Sequence, residues 1–392
     1  MLQKMILTNF LSFRERTEFD FTPSKYTILS GTNISSSDVL KGAMFVGANA
    51  AGKTNALKGL RLLIHLIGGS IRPLSSYRCI FGRDPAWEAE YIFSICGKPI
   101  SYAVKYGFKE RALDETLKVA DQSVLSRHGN TGRMEYGGTE VVDEQLDGQT
   151  SFLRTASFNT GRFPQDEALH ELMEFLLNSV YLDGYQSSAM LGSVAASKFA
   201  EETGVEKLNE YLREMNYNFY LEYSSHSEGM GVKAQTGTAP DGQEQKVLFL
   251  KRNGYPVPLP IFRESNGNQV FVDMLPHLIR TIEKPGMLVI DEFGNSMHNM
   301  LAEKIVCFFM KKADQSQLFI TSHCTNLISN SVLRPDQINS VSFVKTDADN
   351  DLWSSKVTRI AIFRPREAQN LEKMYLGGMF EGLPDYGEEV QD

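Results

Sequence analysis

The stretch Gly47-Ala48-Asn49-Ala50-Ala51-Gly52-Lys53-Thr54 fits the pattern Gly-x-x-x-x-Gly-Lys-Ser/Thr at every fixed position. It follows the apolar run Ala43-Met44-Phe45-Val46 and opens a segment with helical apolar spacing, so it reads as buried strand, glycine turn and helix. A chain built around that unit is committed to an α/β sheet with ligands at its strand ends. The glycines let backbone N–H groups converge on phosphate oxygens at a helix N-terminus. Lys53 adds a point charge and Thr54 a hydroxyl for Mg2+.

Such a loop needs a second metal ligand at the end of another buried strand. Met287-Leu288-Val289-Ile290 supplies the strand and Asp291-Glu292 the carboxylates. Side chains alternate along a strand, so Asp291 is expected to hold the metal while Glu292 reaches forward to polarise an attacking water. About thirty residues on, Phe319-Ile320-Thr321-Ser322-His323 ends a further apolar strand, where His323 is placed to contact a γ-phosphate. Arg263 to Gln269 leads into a helix over 267–283. Ser265 can cap that helix, and on the residues alone a capped helix start is the simpler reading.

The remaining pattern gives three segments. Residues 1–125 form an N-terminal lobe with an opening β-meander (Met5 to Leu7, Phe19 to Phe21, Tyr26 to Leu29), the phosphate loop, and antiparallel strands over 91–95 and 101–106. Residues 126–255 form a helical and β insertion. Its helices fall over about 165–218, and its hairpin from Phe219 to Pro260 carries a glycine- and glutamine-rich tip at Gly237 to Gln245. Residues 256–392 alternate helix 267–283, strand 287–290, helix 297–312, strand 317–320 and helix 324–330, which implies a largely parallel sheet.

Composition narrows the function. The 392 residues carry 40 Lys+Arg against 48 Asp+Glu, a net charge of −8, which disfavours a generally basic nucleic-acid surface. No apolar run reaches the roughly 18 residues needed to cross a bilayer. No secretory signal opens the chain, and Cys79, Cys96, Cys307 and Cys324 lack metal-ligand spacing, which suits buried thiols in a reducing compartment. The expectation is a cytoplasmic protein without a membrane partner.

Taken together, Ile6 to Phe13, Gly47 to Asn55, Ser265-Asn266-Gly267, Asp291-Glu292 and Ser322-His323 resemble the ABC-type ATPase heads of the RecF/SMC/overcoming-lysogenization-defect group. The likeness is strongest to compact AAA-family ATPase subunits of bacterial anti-phage systems such as AbiL and PARIS. Asp336-Gln337-Ile338 and Asn370 to Gly378 resemble their closing segment. The resemblance implies a P-loop NTPase of ABC-head type: a mixed, mainly parallel core sheet with an antiparallel β-subdomain and a helical insertion. It implies ATP and Mg2+ as cofactors. Gly47, Asn49, Gly52, Lys53, Thr54 and Asn55 would then hold nucleotide, with Thr54 and Asp291 on the metal and Lys53, Glu292 and His323 catalytic.

It further implies a nucleotide-sandwich dimer or higher homo-oligomer. Ser265 and Gly267 of one copy would close on the other's γ-phosphate, and Asn295 to His298 would line the contact. Such a head acts as sensor and scaffold, controlling an effector such as a nuclease after a DNA or phage-protein trigger. Only 69 residues (392 minus 323) follow His323, too few for an appended nuclease domain of about 100 residues. A RecF-like DNA-repair ATPase is the alternative, with Lys4, Arg14, Arg16 and Lys25 as a phosphate-contacting edge. The family's metal-sensing glutamine has no clear counterpart: none occurs between Asn55 and Asp121, and Gln122 is the first candidate.

Overall fold

The computed structural model describes residues 1–392 apart from 70–72, 83, 160–162, 184–193, 225–245, 253, 255–256, 348–351 and 384–392. The expected hairpin tip at Gly237 to Gln245 lies outside the described residues.

The centre is a six-stranded sheet in the order Val180–Asp183, Gly286–Asp291, Ser316–Thr321, Gly42–Val46, Ile338–Asp347, Leu352–Arg359. The first five strands run parallel, and the last closes as an antiparallel hairpin. Gly286–Asp291 and Ser316–Thr321 are buried along their whole length, as expected for strands covered on both faces. Alternation divides them between two cores: Met287 and Val289 face one, Leu288 and Ile290 the other.

On the first face lies the phosphate-loop helix Lys53–Gly68, packed beneath a second, eight-stranded antiparallel sheet. Strand Ala86–Ile95 of that sheet buries Trp87, Ala89, Tyr91, Phe93 and Ile95 in strict alternation, and the Tyr91 hydroxyl donates to the Gly59 carbonyl at 2.6 Å. Gly59 also lets strand Leu2–Thr8 of the same sheet lie close on the helix, since a Cβ there would sit 2.7 Å from the Met5 sulfur. The second face carries helices Asn266–Glu283 and Asn299–Lys312.

The expected boundaries shift. Strand Gln122–His128 crosses position 125/126, and Thr131–Tyr136 and Thr139–Asp143 continue the antiparallel sheet, so the polar, glycine-rich stretch is strand and tight turn. Helix Glu167–Leu177, capped by Asp166, covers the first core face, and Val180–Asp183 is a strand of the central sheet rather than the end of that helix. What stands apart in 126–255 is the helix pair Val194–Thr203 and Val205–Glu214, with strands Phe219–Ser224 and Val247–Arg252 paired to Leu259–Pro260.

Two smaller expectations also fail. Tyr26 to Leu29 forms no strand, because the Glu367 carboxylate accepts the Thr27 and Ile28 amides (3.0 and 3.1 Å) in place of a neighbouring strand. The helix over 324–330 reduces to one turn, Thr325–Leu327, where the Ser322 hydroxyl takes the Cys324 amide. All four cysteines are free, and only Cys79 is fully buried.

The antiparallel sheet is pinned by a buried ion pair. Arg127 and Glu115 are inaccessible and bond at 2.9 Å, while Glu115 also accepts Tyr102 Oη (2.6 Å), Ser151 Oγ (2.8 Å) and the Phe152 amide (2.7 Å). Removing one partner leaves a buried charge without compensation. Glu115→Ala is expected to lose about 3–5 kcal/mol of stability in urea denaturation, and a loss under about 1 kcal/mol would contradict this role.

Candidate active site

Parallel register brings four strand ends to one edge. Asp183 lies opposite Asp291, Ile290 opposite Ile320, and Thr321 opposite Phe45, one residue short of the phosphate-loop strand's end. The sequence elements around residues 47–54, 291–292 and 321–323 therefore share one crevice.

The phosphate loop is shaped as much by its neighbours as by a ligand. A Cβ on Gly47 would lie 2.2 Å from the Val341 carbonyl, and one on Gly52 2.3 Å from Ser355 Oγ, both from the hairpin beside the loop. Gly52 holds a left-handed φ of 111° and starts the helix. Ser355 donates to the Ala51 carbonyl at 2.7 Å, and Ser12 receives the Asn55 amide at 2.9 Å, so Asn55 braces the loop from below. Asn49 and Ala50 are exposed at the rim. Lys53 is buried, its Nζ donating to the Gly47 and Ala48 carbonyls at 2.8 Å each. Burial pushes its pKa down, against the pull of Glu292 and Asp291.

Asp291 is 5% exposed and receives three hydroxyls. Thr54 and Thr321 donate to Oδ1 at 3.1 and 2.5 Å, and Tyr181 approaches Oδ2 at 3.4 Å. Burial, then Asp291, raises the Tyr181 pKa, so this phenol stays protonated as a donor. Thr54 and Asp291 offer adjacent hard oxygen donors, a set that suits Mg2+ completing its shell with water and phosphate. Among the described residues no group of three or more His, Cys, Asp or Glu could cage a metal without such help.

Glu292, directly after the strand end, adopts a left-handed φ of 57°, a conformation that costs a non-glycine residue about 1–3 kcal/mol. Its carboxylate accepts Asn295 Nδ2 at 2.6 Å. His323 borders a cavity of about 340 Å³ with Gly47, Ala48, Asn49, Tyr375 and Leu383. Burial and then Lys53 lower its pKa, with Glu292 opposing.

A C-terminal strap completes the loop's support. Phe380 is fully buried, Ser340 donates to the Glu381 carbonyl at 2.9 Å, and the Gly382 carbonyl accepts the Ala48 amide at 2.7 Å.

Ser265 and Gly267 are not joined to this phosphate loop by any hydrogen bond among the described residues. Ser265 is exposed at the N-cap of helix Asn266–Glu283, and its side chain makes no capping bond, contrary to the simple cap reading. Gly267 packs on the loop after Glu292, where a Cβ would meet the Ser296 carbonyl at 2.3 Å. His298 caps helix Asn299–Lys312 through Nδ1 and serves structure. Gln122 is exposed at the start of strand Gln122–His128 of the antiparallel sheet, in which its partner is Val119. Lys4 and Arg16 pair with Glu18 and Arg14 with Glu15, so three of the four cations expected on this edge are matched by carboxylates, while Lys25 is exposed.

Sequence reasoning missed Thr321, Tyr181, Ser12 and Ser355. Thr321 stands two residues before His323 at a strand end, which is a readable signal; the others depend on long-range pairing.

Comparison with known proteins bears on the fold. Residues 150–329 match the family described as "AAA domain, putative AbiEii toxin, Type IV TA system", a span holding Ser265, Asp291, Glu292 and His323 but not the phosphate loop. An SMC head bound to the C-winged helix domain of ScpA superposes with TM-score 0.52 at 11% identity, over 91% of this chain and 97% of that one. An SMC head domain from Thermotoga maritima gives 0.47 at 12%, over 91% and 98%. A Pyrococcus furiosus Smc head bound to the C-terminal domain of ScpA gives 0.46 at 9%, over 92% and 97%. No curated protein matches. The fold is that of an ABC-ATPase head, and among the described residues no helix is long and apolar enough to cross a membrane.

The charges around His323 make a direct prediction. Its NMR titration midpoint is expected below 6.5; Lys53→Ala, which removes a neighbouring cation, raises it, and Glu292→Gln, which removes the opposing anion, lowers it further. A midpoint above 6.5, or one that neither substitution moves, would contradict the placement.

Proposed function

We propose that this chain is an Mg2+-dependent ATPase whose heads pair around ATP, and that it serves as sensor and scaffold subunit of an anti-phage, abortive-infection system controlling a partner effector such as a nuclease. The observation that carries the ATPase reading is the convergence of Lys53, Thr54, Asp291, Glu292 and His323 on one sheet edge. The matched family's description, which names a toxin of a type IV system, supports the defence role. The SMC head bound to a ScpA domain supports a head that carries a partner protein.

Catalysis is positioning and electrostatics. Lys53 and the amides opening helix Lys53–Gly68 hold the phosphates. Thr54 and Asp291 would hold Mg2+, which neutralises phosphate charge when bound. Glu292, at the left-handed turn directly after the strand end, orients the attacking water. His323, on the cavity it shares with Gly47, Ala48 and Asn49, donates a hydrogen bond to the γ-phosphoryl. The uncapped, exposed Ser265 and the neighbouring Gly267 supply the closing surface from a second copy. A DNA or phage-protein trigger acts on that pairing. The paired state of Lys4, Arg14 and Arg16 weighs against the DNA-repair alternative.

The test is native mass of Glu292→Gln with and without Mg2+-ATP. Loss of the water-orienting carboxylate traps the nucleotide state, so mass is expected to double only with Mg2+-ATP. A constant assembly, or a monomer under both conditions, would overturn nucleotide-driven pairing.

A further inference from the structure

The two acids of the site are adjacent in the chain but differ in backbone and partners: Asp291 ends a strand and receives hydroxyls, whereas Glu292 has a left-handed φ and receives Asn295. One residue from a different strand holds both. Thr321, the last residue of Ser316–Thr321 and 1% exposed, sits between the phosphate-loop strand and the carboxylate strand. Its hydroxyl donates to Asp291 Oδ1 at 2.5 Å and accepts the Glu292 amide at 2.7 Å, while its carbonyl accepts the Phe293 amide at 2.8 Å.

The polarity of this chain is fixed. A hydroxyl has one hydrogen and two lone pairs, and an amide can only donate. Because the Glu292 N–H points at Oγ1, the hydroxyl hydrogen is free to go to Asp291. The Thr321 hydroxyl and carbonyl take two successive amides, those of Glu292 and Phe293, on either side of the left-handed turn at Glu292, whose φ is 57°. One residue thus holds the Asp291 carboxylate and both amides of the backbone turn at Glu292.

We propose that Thr321 is the positioning residue of the hydrolytic site, setting the orientation of Asp291 toward metal and of Glu292 toward water. This rests on the ATPase reading above. Thr321 does not touch nucleotide; it acts through the two carboxylate residues, as groups behind a metal ligand do, whose loss costs about 10–100-fold in metal affinity or activity.

The experiment compares wild type, Thr321→Val and Thr321→Ser, alone and with Glu292→Gln. Valine keeps the shape and removes the hydroxyl; serine keeps the hydroxyl and removes a methyl. Thr321→Val is expected to lower kcat for ATP about 10–100-fold with little change in KM. It is expected to weaken Mn2+ binding to the complex with a non-hydrolysable ATP analogue, read by electron paramagnetic resonance, by about 10-fold. Serine is expected to restore both. In the Glu292→Gln background the valine change is expected to cost less in kcat than it does alone, since the share acting through Glu292 is already lost and only the share acting through Asp291 remains. If the valine chain does not fold, Thr321→Ala takes its place.

Unchanged kcat and Mn2+ affinity in Thr321→Val, equal defects in valine and serine, or full additivity with Glu292→Gln would each overturn the role while leaving the ATPase reading intact. A wild-type chain that neither hydrolyses nor binds ATP would remove the reading and the proposal together.

Discussion

The carboxylate of Asp291 is the point on which the arrangement depends. Thr54 reaches it from the phosphate-loop helix, Thr321 from the neighbouring strand and Tyr181 from the edge strand Val180–Asp183. Three elements widely separated in the chain are thereby set against the end of a fourth. A buried carboxylate is costly unless it is hydrogen-bonded, and here the donors that satisfy it are also the parts of the crevice. Satisfying one charge in the core and assembling the site are the same event.

The phosphate loop is held from outside as firmly as from within. The hairpin Ile338–Asp347/Leu352–Arg359 presses on Gly47 and Gly52, so these positions require glycine for packing as well as for phosphate approach. The strap ending at Gly382 accepts the Ala48 amide, and Lys53 occupies the Gly47 and Ala48 carbonyls. A loop so restrained has little conformational entropy left to lose when phosphate binds.

Much of this was legible in the sequence because its signals are local. The strand–glycine–helix unit around Lys53, the apolar run ending in Asp291-Glu292 and the run before His323 each declare themselves within about ten residues. Other parts depend on partners far along the chain. Val180–Asp183 carries only four residues, sits beside a strong helical pattern, and is a strand only because Gly286–Asp291 lies next to it. The glycine-rich stretch after residue 125 continues a sheet whose earlier strands fix its register. Ser12, Ser355 and Tyr181 are ordinary polar residues until the fold places them, and Ser265 fits a capping pattern that its side chain does not use.

The chain thus combines the fold of an SMC head with a site whose two adjacent acids differ in backbone geometry. The most direct test is phosphate release from saturating Mg2+-ATP by wild type and by Glu292→Gln, with ATP affinity measured alongside. The account predicts that both bind ATP alike and that the glutamine chain releases phosphate at least about 100-fold more slowly. Equal rates in the two chains would contradict it.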